Sequence, residues 1–91
     1  MIAKSERYVP AQGVVGRAVG DEMVLLDLRS GTYFTLSTVA STVWSSLEGG
    51  HGLDEVVAAV VEEFEIDEAT ARADVLEFLA AAAESGLVAS S

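Results

Sequence analysis

Three short β-rich runs followed by three helical ones, within 91 residues, predict an α+β domain. The arrangement is a three-stranded antiparallel β-meander followed by three α-helices, the order of a winged helix-turn-helix. Glycine-bearing turn signals separate the β-rich runs, and each helical run follows a capping residue and carries apolar residues at helical spacing. Charge runs against the use to which this order is often put. Fifteen Asp and Glu against five Lys and Arg leave a net charge of −10. Phosphate would repel such a body, because Lys and Arg supply most nucleic-acid affinity.

The first strand is read over Val14, Val15, Ala18 and Val19, punctuated by Gly16 and closed by the Gly20-Asp21 turn signal. Met23 to Leu28 is a denser apolar run, too short for a typical helix, and suits a central strand. Arg29-Ser30-Gly31 reads as a hairpin connection in which Gly31 takes positive φ. Thr32 to Leu36, rich in aromatic and β-branched residues, is the third strand.

Ser37 or Thr38 caps the first helix, whose Val39, Ala40, Val43, Trp44 and Leu47 share one face, and Gly49-Gly50 ends it. Asp54 is read as the cap of the second helix, with Val56, Val57, Val60, Val61 and Phe64 on one face. Its four valines form helix poorly, so it depends on tertiary packing. Asp67 or Glu68 opens the third and longest helix, which runs to Glu84 or Ser85. Gly86 follows as a left-handed cap and Leu87 as its apolar partner. At 100° per residue the apolar residues of this helix fill an arc of about 220°, wider than a helix lying on one core needs. Either a second apolar surface meets it, or its many alanines are exposed.

Composition sets further bounds. The chain is long enough for one core and too short for two, and 51% hydrophobic residues make global disorder improbable. Residues 1–11, with Lys4, Arg7 and the only proline, read as a flexible N-terminal tail, and residues 12–91 as the folded domain. No cysteine is present, which excludes disulfides, thiolate metal sites and a cysteine nucleophile. His51 stands alone in a Gly-rich loop, so metal ligation has no support, and no base accompanies the scattered Ser and Thr. Glu62, Glu63 and Glu65 read as a solvated helix face, and Trp44 as a core residue whose indole N–H meets a backbone carbonyl. The first ten residues lack the apolar run of a secretory signal and no stretch is long enough to span a membrane, so the expected location is cytoplasmic.

Two blocks carry a family pattern. LLDLRSGTYFTLSTVASTVWSSLEGG and ADVLEFLAAAAESGLV resemble the PqqD-like family in order and spacing, over about two-thirds of the chain. Ser37 stands where that family usually has Asn or Asp, and serine also caps a helix. The resemblance implies a non-enzymatic, peptide-binding winged helix-turn-helix, the RiPP recognition element. Such a domain takes the leader of a ribosomally made precursor as an added strand on Thr32, Tyr33, Phe34, Thr35 and Leu36. The leader's side chains then lie in a groove beside the third helix. On that helix Val75, Phe78, Leu79 and Ala82 share one stripe and are read as groove wall, the alternative being that Val75 and Leu79 are core, with Asp74 at its edge accepting a hydrogen bond or facing a basic leader residue. Tyr33 and Phe34 point to opposite faces of their strand, so only one of them borders the groove.

The partners so implied are a precursor leader peptide and a downstream modifying enzyme such as a leader peptidase, a cyclase or a radical SAM enzyme. The pathway is of lasso-peptide or pyrroloquinoline quinone type, and no cofactor, nucleic acid or membrane is expected. A free strand edge equally invites a homodimer. Two other classes fit parts of the chain. A DNA-binding winged-helix regulator conflicts with Asp74, Glu77 and Glu84 on the third helix. A small acidic carrier protein lacks its Asp-Ser-Leu attachment motif.

Overall fold

The computed structural model describes residues 7–90, in which the chain forms β1 (Tyr8–Pro10), β2 (Val14–Val19), β3 (Glu22–Asp27), β4 (Thr32–Leu36), α1 (Thr38–Glu48), α2 (Leu53–Phe64), α3 (Glu68–Glu84) and β5 (Val88–Ser90). The expected meander is present as the antiparallel sheet β2-β3-β4, and the three expected helices follow it. Leu28 falls outside β3 and is 62% exposed. The chain already turns at Asp27, whose carbonyl accepts the N–H groups of Ser30 and Gly31, and Gly31 takes φ +74°.

The chain ends differ from expectation. Residues 8–10, read as part of a tail, form β1 and pair with β5 in register Tyr8↔Ser90, Val9↔Ala89, Pro10↔Val88. Three-residue strands whose partners lie at opposite ends of the chain carry no local periodicity, which is why both escape a reading by pattern. Residues 1–6 of the expected tail lie outside the described residues.

Caps set the helix bounds. Ser37 accepts the Ala40 N–H at 3.2 Å, and Asp67 accepts from Thr70 N–H at 3.1 Å and from its hydroxyl at 2.7 Å. The cap of α2 is Gly52 in place of Asp54: Glu55 reaches back to the Gly52 N–H at 2.9 Å, half of a capping box, and so starts the helix earlier. At the other end of α3, Leu87 N–H bonds Ala82 O at 2.8 Å and Gly86 N–H bonds Ala83 O at 3.1 Å. With Gly86 at φ +75° this is a Schellman motif, and it turns Leu87 into the core.

The core lies between the inner face of the sheet and the helices. Met23 and Leu25 of β3 and Leu36 of β4 meet Val43, Trp44 and Leu47 of α1. Val56, Val57 and Val60 of α2 complete it with Val75 and Leu79 of α3. Trp44 is fully buried, yet its indole N–H finds no acceptor among the described residues, against the expected backbone carbonyl. The ring lies beneath Gly16: a Cβ there would stand 2.8 Å from Trp44 Nε1 and 3.0 Å from Met23 Sδ. The glycine within β2 is therefore a close-approach position.

Three carboxylates titrate below their ordinary range. Hydrogen bonds from the Arg29 side chain lower Asp27 against the opposing effect of burial, the Gly52 N–H lowers Glu55, and the Thr70 hydroxyl and N–H lower Asp67. A pKa depressed in the folded state stabilises above the unfolded value and loses that contribution as pH falls through the folded one. Stability is therefore expected to be level near neutrality and to fall once the pH drops below about 4, where unfolded carboxylates protonate. Asp67→Asn keeps a capping acceptor without the titration. Urea midpoints at pH 7 and pH 3 should differ less for it than for the parent, and an unchanged difference would remove Asp67 from the explanation.

Candidate functional site

Hydrogen bonds at the sheet ends determine which backbone groups of β4 are free. Leu28 N–H bonds Gly13 O at 2.8 Å on the β2 side, whereas Asp27 O accepts Gly31 N–H at 2.7 Å on the β4 side. In an antiparallel ladder a residue turns its N–H and C=O to the same neighbour, and successive residues alternate. Met23, Leu25 and Asp27 thus face β4, and their register partners Leu36, Phe34 and Thr32 face back. The N–H and C=O of Tyr33 and Thr35 point outward along an edge that no other described strand occupies. Of the five backbone positions expected to pair with a ligand, these two carry the free groups.

Side chains alternate as well. Phe34 and Leu36 lie on the inner face with buried Leu25 and Met23, while Tyr33 is 69% exposed on the outer face beside Thr35. This separates the two aromatics that the sequence left open: Phe34 borders the helix groove and Tyr33 does not.

Two adjoining hollows run along α3. One, of about 210 Å³, lies between β4 and the end of α3, with Phe34, Leu36, Phe78, Ala82 and Leu87 among its walls. The other, of about 470 Å³, lies between α3 and the start of α1, floored by Val39, Ala40 and Val43 and rimmed by Asp74 and Glu77. Phe78 and Ala81 line both, so the two hollows adjoin along one flank of α3 and are described together as the groove.

The α3 residues expected as groove wall divide. Phe78 and Ala82 line the groove, and Asp74 stands at its rim. Val75 and Leu79 do not: they are 0% and 1% exposed and belong to the core. Ala71, Val75, Leu79 and Ala82 form the stripe turned inward, and the groove wall is the neighbouring stripe of Asp74, Phe78, Ala81 and Ser85. The i, i+4 pair of Asp74 and Phe78 was the sequence signal for that stripe. Glu77, Ala81 and the α1 floor were missed, because helix-to-helix proximity has no local signature. Ala73, Ala80 and Ala83 are exposed, which accounts for much of the wide apolar arc.

A charged clamp closes the Thr32 end. Arg29 bonds Asp27 through Nε at 2.9 Å and Nη2 at 3.1 Å, and Nη2 also reaches Gly86 O at 2.7 Å. The β3–β4 turn is thereby tied to the end of α3, which holds β4 and α3 at a set separation. Asp74 and Glu77 have no ion-pair partner among the described residues. His51 lies 3.5 Å from Glu55, outside the groove, and among the described residues no three His, Cys, Asp or Glu stand where they could hold a metal ion. No described helix is long and apolar enough to cross a membrane.

An open strand edge lies beside a helix-lined apolar groove on a winged-helix α+β scaffold. The chain belongs to the PqqD family: the family model for coenzyme PQQ synthesis protein D matches residues 22–88, well over half of it. Two solved structures share the fold. TbiB1 in complex with the TbiA(beta) leader peptide is 40% identical with a TM-score of 0.83, over 88% of this chain and 93% of that one. A lasso peptide synthetase B1 complexed with its leader peptide is 25% identical with a TM-score of 0.81, over 91% of this chain and 98% of that one. None of the curated proteins compared with the chain matches it.

Proposed function

We propose that this protein is a non-catalytic recognition element that captures the leader of a ribosomally made precursor peptide and presents it to a modifying enzyme. The observation that carries the reading is the outward-facing backbone of Tyr33 and Thr35 directly beside the Phe34–Phe78 groove. The leader adds as a strand to β4, so main-chain bonds provide sequence-tolerant attraction and alternate side chains enter the groove. Two similar structures that hold leader peptides support this, and the one described as a lasso peptide synthetase favours a lasso-type pathway over pyrroloquinoline quinone synthesis. On that reading the receiving enzyme is a leader peptidase or cyclase, met in the cytoplasm. The DNA-binding alternative weakens further, because Arg72, the sole cation of α3, is held by Asp54 at 3.1 Å and Glu68 at 3.0 Å.

The test is fluorescence anisotropy of labelled leader peptides from short reading frames beside the gene. Saturable binding at low micromolar or better is expected from one of them. Thr35→Pro removes an outward N–H without touching the β3 ladder, so it should weaken that binding about two- to tenfold with an unchanged circular dichroism spectrum. Unaltered affinity in the proline variant would overturn strand addition at this edge, and no binding to any leader would overturn the capture role.

A further inference from the structure

We infer, on the strength of the leader-capture reading, that the groove selects a leader carrying a basic side chain about four residues from the apolar side chain that fills the β4–α3 hollow. The groove is chemically two-ended. Its β4 end is walled by Phe34, Leu36, Ala82 and Leu87, with no charged side chain among its lining residues. Its α1 end has an apolar floor but an acid rim, Asp74 and Glu77, both exposed.

No cation of this chain serves that rim among the described residues. Arg72 is engaged by Asp54 and Glu68, Arg29 by Asp27 and Gly86, and Arg7 by the Gly50 carbonyl. Arg17 sits on β2, in register with Val24 and Thr35, on the outer face of the sheet. An aliphatic stem ending in a positive charge matches an apolar floor with an acid rim: the methylenes of Lys or Arg cover Val39 and Phe78 while the head reaches the carboxylates. The hollow adjoins the one beside the proposed strand-addition edge, sharing Phe78 and Ala81 with it, so one extended peptide along β4 reaches both ends.

Spacing follows from the helix. Asp74 and Ala82 are separated by about 12 Å along α3, the length of roughly four residues of extended chain. An even spacing keeps both side chains on the face of the added strand that looks into the groove. The basic residue precedes the apolar one if the leader adds antiparallel to β4, and follows it if parallel.

The experiment is a position scan. Each residue of a leader that binds the unaltered protein is replaced in turn by Lys and by Glu, and affinities are read by anisotropy against the unaltered protein and Asp74→Asn/Glu77→Gln. The expected result is one position, four residues from the groove-filling apolar residue, where Lys binds about tenfold tighter than Glu at low salt. That preference should shrink with added salt and vanish in the neutral variant, and Asp74→Lys/Glu77→Lys should invert it. Tight binding with no charge-sensitive position, or a preference that survives the neutral variant, overturns this inference and leaves leader capture standing. Failure of every leader to bind the unaltered protein overturns the capture reading and this inference with it.

Discussion

Phe78→Asp should lower leader affinity at least a hundredfold while the domain stays folded. Phe78 is the residue common to both hollows, half-buried on the flank of α3 and packed against the edge of the core without belonging to it. A ligand side chain laid on that ring gains on the order of 1.5–3 kcal/mol from burial, and all of it is lost when the ring goes. The new carboxylate must also be desolvated by any apolar ligand, and it stands one helical turn from Asp74, where like charges repel. Stability suffers less, because the inward stripe of Ala71, Val75, Leu79 and Ala82 is untouched. Anisotropy paired with a thermal melt followed by circular dichroism separates the two effects. A collapsed melt would place Phe78 in the core and remove the groove as drawn.

The contrast between Phe78 and its neighbours shows how far the sequence reaches. Strand order, helix order and most caps were legible, because each rests on a signal within a few residues: Gly31 at the hairpin, Ser37 and Asp67 at helix starts, Gly86-Leu87 at the end of α3. The candidate site was legible to within one stripe of a helix. Val75 and Leu79 differ from Phe78 and Ala81 by a rotation about the α3 axis, and only the position of the sheet decides which stripe faces inward. Tyr33 and Phe34 present the same ambiguity in a strand, where the face is set by the partner Leu25 and not by either aromatic. The β1–β5 pair and the meeting of Asp74 with the α1 floor join segments far apart in sequence, and no periodicity announces them.

Trp44→Ala should act on the scaffold as strongly as Phe78→Asp acts on binding. Removing a fully buried indole costs about 3–5 kcal/mol, a large part of the roughly 5–15 kcal/mol that holds a domain of this size together. A melting temperature lower by more than about 12 °C is expected. Trp44→Phe should cost much less, because the N–H it deletes has no acceptor among the described residues to lose. The two aromatics also differ in what they permit above them. In the unaltered protein Gly16→Ala places a methyl 2.8 Å from Nε1 and should cost about 1–3 kcal/mol, whereas Trp44→Phe removes that nearest contact and leaves Met23 Sδ at 3.0 Å and Leu25 Cδ2 at 3.3 Å. Urea unfolding of the two single variants and the double therefore forms a cycle. The cost of Gly16→Ala should fall markedly in the Trp44→Phe background, and equal costs in both would show that the indole does not set the approach of β2. The link to function is indirect and specific. Trp44 supports the sheet whose far strand carries the free edge, so Trp44→Ala should weaken leader capture only as far as it unfolds the domain, and saturating osmolyte should restore both together.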